Sequence, residues 1–215
     1  MPYGCTQTIN EVARIFAHAC EQTLSQATNS KITIAPTIQK VPAVFLKPDI
    51  GCFVQFFGDY SGLFIMNLGG EVALELYRKS MLYMGLPAED LARDHTSDEV
   101  VDSIGELVNQ IMGKARSLIK DRFGLIAGNH QPKGITIASV ITMSIATPLT
   151  RPQCRRISFR SADNHSFHVE LSMEDTEFIA AFQNEASLFG ANPSPSGNLE
   201  TDSELDDINR LIDNL

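Results

Sequence analysis

Thr96-Ser97-Asp98-Glu99-Val100-Val101-Asp102-Ser103-Ile104-Gly105-Glu106-Leu107-Val108-Asn109-Gln110-Ile111-Met112-Gly113 sets its apolar residues at helical spacing. Thr96-x2-Glu99 has the form of a capping box, and Gly124 is a C-terminal cap, so the spacing predicts one long helix to about Phe123. At about 100° per residue from Asp102, Ile104, Leu107, Val108, Ile111, Ala115 and Leu118 fall on one side. Glu106, Asn109 and Gly113 stay within about 40° of Asp102 on the opposite side, and Arg116 and Lys120 extend that line. One face therefore belongs to a core, and the other presents an acid, an amide and a glycine without a side chain. A solvated helix face has the same composition, so spacing alone leaves both readings open. Gly113 costs a helix interior about 1 kcal/mol against alanine, and a partner's close approach is one reason to keep it.

Upstream of this helix, Cys52–Phe57 and Leu63–Leu68 are β-rich runs around the turn cluster Gly58-Asp59-Tyr60-Ser61-Gly62, a hairpin pattern. A helix follows from about Glu71 to Met84, with Gly85 and Pro87 as stop signals. Nearer the N-terminus, Thr8-x2-Glu11 reads as another capping box opening a helix to about Gln26, on which His18 stands alone as a structural residue. Pro36, Pro42 and Pro48 mark the stretch between as edge or irregular strands.

Downstream, Ile135–Met143 is β-branched and reads as one strand. Arg155–Arg160 and Ser166–Leu171 alternate across Asp163-Asn164 as a second hairpin, with His165 and His168 expected to face solvent. Phe178, Ala181, Phe182 and Phe189 suggest another amphipathic helix, and Gly190–Asn198 has linker composition. The expected fold is α/β (α+β), long helices packed on a mostly antiparallel sheet. Its divisions are a body at 1–173, a helix and flexible linker at 174–198 and an acidic amphipathic peptide at 199–215. Two hairpins and three helices leave room for a weak duplication.

The net charge of −9 is unevenly placed. Residues 1–173 hold 16 acids and 16 Lys or Arg, whereas 174–215 hold 10 acids and only Arg210. A neutral body without a basic stripe argues against a nucleic-acid partner. No apolar run reaches the roughly 20 residues of a membrane span, and the first residues lack signal-peptide character. Cys5, Cys20, Cys52 and Cys154 are scattered without a CxxC pair, which fits buried hydrophobes or inert thiols in a reducing cytoplasm, not a metal site.

Glu106 and Asn109 have no nucleophile activated beside them. A carboxamide can both donate to and accept from a water and so aim it, and a carboxylate can pair with a partner's lysine. Together they suit hydrolysis of a bond that the partner has already activated. Asp102-x3-Glu106-x2-Asn109, within Ser103–Gly113 and after Gly58–Met66 and its helix, resembles the active helix of the CheC/CheX/FliY phosphatases over roughly Val44–Met173. The resemblance implies that the substrate is the aspartyl phosphate of a CheY-like response regulator in chemotaxis signalling. It implies Asn109 orienting a water, Glu106 pairing with the regulator's phosphate-binding lysine, and Asp102 docking. Mg2+ would be held by the regulator, with no cofactor or metal on this chain. The first helix has Arg14 where a Glu11-x2-Asn motif needs its amide, which resembles CheX, with one site per subunit and a homodimer, more than CheC. The family's proline some twenty residues after the Asn has a near match in Pro132, which precedes the Ile135 strand while Ala138-Ser139 stand inside it. Other readings of the same residues are a non-catalytic dimeric docking module for a receiver domain or CheD-like protein, and a flagellar-switch adaptor resembling FliY.

The tail adds a second feature. Leu205, Ile208, Ile212 and Leu215 form a helical apolar stripe on an acidic segment, similar to the CheY-binding peptides of FliM and CheZ. It either captures the regulator or packs on the body or across a dimer.

Overall fold

The computed structural model describes residues 5–137, 141–145 and 148–178, with side chains from Thr8 onward. In chain order the elements are α1 (Cys5–Thr28), β1 (Thr33–Val41), β2 (Phe45–Leu46), β3 (Ile50–Gly58), β4 (Gly62–Leu68), α2 (Gly70–Tyr83), a 3-10 turn at Ala88–Asp90 and α3 (Asp98–Phe123). They continue with β5 (Ala127–Asn129), β6 (Lys133–Thr136), β7 (Met143–Ser144), β8 (Gln153–Arg160) and β9 (Ser166–Met173).

The main sheet runs β1-β8-β9-β4-β3, and β5 and β6 share the outer edge of β3. Every pairing is antiparallel. Both expected hairpins form, with Phe53 opposite Ile65 in one and Ile157 opposite Val169 in the other. Side chains alternate across the pleat, so Cys52, Val54 and Phe56 enter the core beneath the helices while Phe53 points away. That main core joins Phe16 of α1, Leu76 of α2 and Ile104, Val108 and Ile111 of α3 to Phe64, Met66 and Val169 of the sheet. A smaller core on the opposite face, around Leu46, Leu63, Ile65 and Ile137, lies near the short β2–β7 pair.

The prolines fall where an edge tolerates them. β1 lies at the sheet border and loses register with β8 between Ile34 and Ile38, around Pro36. The run Ile135–Met143 is not one strand. β6 ends at Thr136, Ile137 donates its backbone N–H to Asp49 O, and β7 pairs with β2 in a separate small sheet. Ala138-Ser139, the helix expected beyond Phe178, the Gly190–Asn198 stretch and the acidic peptide lie outside the described residues.

Neither capping box forms as the sequence suggests. α1 already includes Cys5, so Thr8 sits within the helix, and its Oγ1 accepts the Phe178 N–H at 3.4 Å. Ser97 rather than Thr96 is the N-cap of α3 and makes no capping hydrogen bond through its side chain. Instead Thr96 turns back on Asp94, and Glu99 accepts from Tyr77 Oη at 3.2 Å. Thr8 and Glu99 are thus engaged in tertiary contacts that local spacing does not reveal, and Thr96 in a local turn with Asp94.

Candidate functional site

α3 buries Val100, Ile104, Leu107, Val108, Ile111, Met112, Ala115 and Ile119 against α1, α2 and the sheet. Leu118 is half-buried at the margin of that core. The helix closes as expected: Gly124 adopts φ +71° and donates its N–H to Lys120 O at 2.8 Å. Asp98 and Glu99 in the first turn and Lys120 and Arg122 in the last complement the helix dipole. With one side fixed this firmly, the polar side has a defined direction. Asp102, Glu106, Asn109 and Gly113 are all exposed.

Asp102, Glu106 and Asn109 share a cleft of about 420 Å³. Val101 and Gly105 belong to the same wall, and the other wall is Gln131, Pro132, Lys133 and Gly134, leading into β6. Gly134 makes this closeness possible. A Cβ there would stand 2.6 Å from Val101 Cγ1 and 3.4 Å from the Val101 carbonyl, so only glycine lets the edge strand lie against the helix. The second wall was not singled out from the sequence, apart from the spacing of Pro132. Its placement follows from β6 pairing with β3, Gly134 opposite Cys52, which is a long-range choice.

Within the cleft the groups are available for chemistry. Glu106 receives one long hydrogen bond, from the Gln110 amide at 3.4 Å. Asn109 lies one turn along, where its carboxamide can address a ligand from the same side. Gly113 is a turn farther on, outside the cleft lining, and a Cβ on it would meet nothing within 4 Å. No internal packing demands that glycine. Arg116, two turns from Asn109, donates from Nη1 to Asn129 Oδ1 on β5. Among the described residues, no group of three His, Cys, Asp or Glu side chains could hold a metal ion. Leu205, Ile208 and Ile212, the tail residues expected to bind a partner, lie outside the described residues.

Other polar clusters have structural tasks. Burial alone would raise the Glu75 pKa, but hydrogen bonds from Lys79, Ser161, His165 and the Asp163 N–H outweigh it and lower the net value. That network ties α2 to the β8–β9 turn, and it accounts for His165. His168 does not face solvent as expected. Burial pushes its pKa down to about 4, with Glu170 opposing and Lys47 and Arg156 adding to the fall. Its neighbour Glu170, fully buried, accepts from Arg156 at 2.8 Å and from the Phe45 N–H at 2.7 Å, holding the β2 segment on the sheet. Strand alternation cannot show that a second layer covers this part of the outer face. His18 is exposed, 3.7 Å from Glu21, and Cys20, Cys52 and Cys154 are buried free thiols.

No helix among the described residues is long and apolar enough to cross a membrane. The sequence matches no curated protein. Among solved structures, CheX from Desulfovibrio desulfuricans superposes with a TM-score of 0.64 at 21% identity, covering 76% of this chain and 99% of that one. CheX of Borrelia burgdorferi, solved in a complex with CheY, BeF3 and Mg2+, gives 0.54 at 15% identity over 75% and 97%. FliY from Thermotoga maritima gives 0.55 at 17% identity over 77% and 87%. The fold is thus that of the CheC/CheX/FliY proteins. Residues 5–190 match the family described as "Protein of unknown function (DUF3334)". With that match spanning most of its length, the chain belongs to the DUF3334 family and is built on the CheC/CheX/FliY fold.

Proposed function

We propose that this protein hydrolyses the aspartyl phosphate of a CheY-like response regulator in chemotaxis signalling. The observation that carries the reading is the exposed Glu106–Asn109 pair, one turn apart on α3 and open to a cleft, in a chain with the CheX fold. That a CheX of this fold has been solved with CheY supports the choice of partner.

The chemistry asked of the chain is positioning. An aspartyl phosphate needs a water held in line with the phosphorus and charge balanced around the phosphoryl oxygens. Asn109 supplies a carboxamide that accepts from the water through its oxygen and donates through its nitrogen, fixing the water's direction. Glu106 pairs with the regulator's phosphate-binding lysine and sets the depth at which Asn109 enters. Asp102 contributes docking at the cleft mouth, and exposed Gly113 leaves room for the regulator's backbone. Magnesium arrives on the regulator with the phosphate, and this chain supplies no ligand to it. Leu205, Ile208 and Ile212 on the acidic tail capture the regulator and raise its effective concentration at Asn109. The working form is a cytoplasmic homodimer.

The test is the decay of phosphorylated CheY from the same organism, followed with and without the full-length protein. Acceleration that disappears in Asn109→Ala, with binding retained, supports the reading. Binding without acceleration by the wild type would instead make the protein a docking module.

A further inference from the structure

On the side of the sheet away from the helices, β8 and β9 carry a polar face. Ile157, Phe159, Phe167 and Val169 enter the main core, so the pleat sends Arg156, Ser158, Arg160, Ser166 and His168 to the other side. In register, Arg160 stands beside Ser166 and Ser158 beside His168. β1 borders this face and breaks step there. Ile34 pairs with Phe159 and Ile38 with Ile157, so Ala35-Pro36-Thr37 of β1 pass the single residue Ser158 of β8. At this slack lies a recess of about 570 Å³, lined by the five polar-face residues and by Ile34, Ala35 and Pro36 of β1.

The recess is rich in donors and, among the described residues, no carboxylate lines it. Fully buried Glu170 fixes Arg156, accepting from Nε at 2.8 Å and Nη2 at 2.7 Å, and leaves Nη1 outside that pair. Arg160 is exposed and donates from Nη1 to the neutral Asn164 Oδ1, so no acid balances its charge there. Half-buried Ser158 and exposed Ser166 add hydroxyls. Asn67 sets the tautomer of His168. Its Oδ1 accepts the Lys47 N–H, so its Nδ2 faces His168 Nε2 at 3.4 Å, and the ring proton belongs on Nδ1. Burial keeps that ring neutral, and Lys47 and Arg156 reinforce it, so His168 offers a donor without a charge. Guanidinium groups and hydroxyls gathered without a competing acid suit a phosphoryl group, whose oxygens accept. The recess has the volume of a small-molecule site, and its Ile34–Pro36 rim suits an apolar body.

We propose that the recess between β1 and β8 binds a small organic phosphate, its phosphoryl group held by Arg156, Ser158 and Arg160 and its organic body resting on Ile34 and Pro36. The site lies on the face of the sheet opposite α3, and the proposal stands without the phosphatase reading.

The experiment is calorimetric titration of the full-length protein with AMP, adenosine and inorganic phosphate, comparing wild type, Arg160→Ala, Ser158→Asp and Lys120→Ala. Circular dichroism first checks that each is folded. Lys120, exposed in the last turn of α3, controls for the loss of one positive charge. AMP is expected to bind saturably and more tightly than inorganic phosphate, with adenosine inert. Arg160→Ala and Ser158→Asp should each weaken AMP binding about tenfold or more, the worth of a hydrogen bond to a charged group, while Lys120→Ala binds like wild type. No saturation by AMP or inorganic phosphate up to about 10 mM overturns the proposal. So does AMP binding that both recess variants leave intact, or that Lys120→Ala weakens as much as they do. Equal affinity for AMP and adenosine overturns the phosphoryl contact, and equal affinity for AMP and inorganic phosphate overturns the place given to the organic body.

Discussion

The two borders of the sheet are built alike and equipped differently. Read from one edge the strands run β1-β8-β9-β4-β3-β6, and exchanging α1-β1-β3-β4 with α3-β6-β8-β9 turns that order end for end. The span from the end of α1 to the end of β1, Thr28 to Val41, equals that from the end of α3 to the end of β6, Phe123 to Thr136. In that register Glu11 stands where Glu106 stands, and Arg14 where Asn109 stands. Each helix also forms a cleft of about 420 Å³ with its edge strand, Arg14 lining one and Asn109 the other. Yet Glu11 is occupied, paired with Arg14 at 2.9 Å and with Arg122 from α3, whereas Glu106 holds only its long contact to Gln110. A backbone duplicated at both edges thus carries an exposed amide at one and a closed ion-pair network at the other. The fold supplies the cleft; two side chains decide whether it has chemistry to offer.

That contrast can be sharpened by matched substitutions. The largest difference is expected between Glu106→Gln and Glu11→Gln in the CheY decay assay. The first should slow turnover by at least tenfold, as a lost charge-assisted contact in the reacting complex does. The second should leave turnover unchanged and lower stability by no more than about 1 kcal/mol, the usual worth of surface ion pairs. Equal effects would erase the distinction between the edges.

Gly134→Ala tests the wall of the α3 cleft. The added methyl meets Val101 at 2.6 Å, a branched side chain with little freedom to move. Forcing α3 and β6 apart should cost about 1–3 kcal/mol in urea unfolding and reduce turnover. Gln39 occupies the matching position of β1 and should accept Ala with little change in either measurement.

A smaller effect is expected from pH. His168 lies under the β2 segment near the β1 side of the outer face, its pKa lowered from 6.5 to about 4. The unfolded chain therefore binds a proton first as pH falls, and the stability gained by keeping His168 neutral is present above pH 6.5 and lost between about pH 6.5 and 4. His168→Asn should flatten the unfolding midpoint over that window; a profile identical to wild type would remove His168 as its source. The smallest expected effect is that of Arg14→Asn in an Asn109→Ala background. Turnover should stay at baseline because Glu11 remains paired with Arg122. Recovered turnover would mean that one side chain alone separates the two clefts.

Much of this could be read from sequence, for identifiable reasons. α3, its buried face and its Gly124 cap follow from local spacing and one glycine. The same holds for both hairpins, whose alternation survives pairing. What escaped depends on distant partners. Thr8 has a cap-like sequence, but the distant Phe178 N–H claims its hydroxyl. The continuous apolar run after Gly134 divides because one part pairs with β3 and another with β2. Gln131, Pro132 and Lys133 carry no motif and become a cleft wall only through that pairing. Phe57 and Ile126 resemble core residues in composition, and their exposure is a property of the sheet edge. Glu106 and Asn109 were legible because a single helix carries both and fixes their relative direction.

The most direct test remains the dephosphorylation assay itself, with phosphorylated CheY from the same organism mixed with wild type or Asn109→Ala at equal concentration. Faster decay with wild type, reduced by about 100-fold or more in Asn109→Ala without loss of regulator binding, is the expected result. Decay that wild type and Asn109→Ala accelerate equally, or that neither accelerates, would contradict the role given to the α3 cleft.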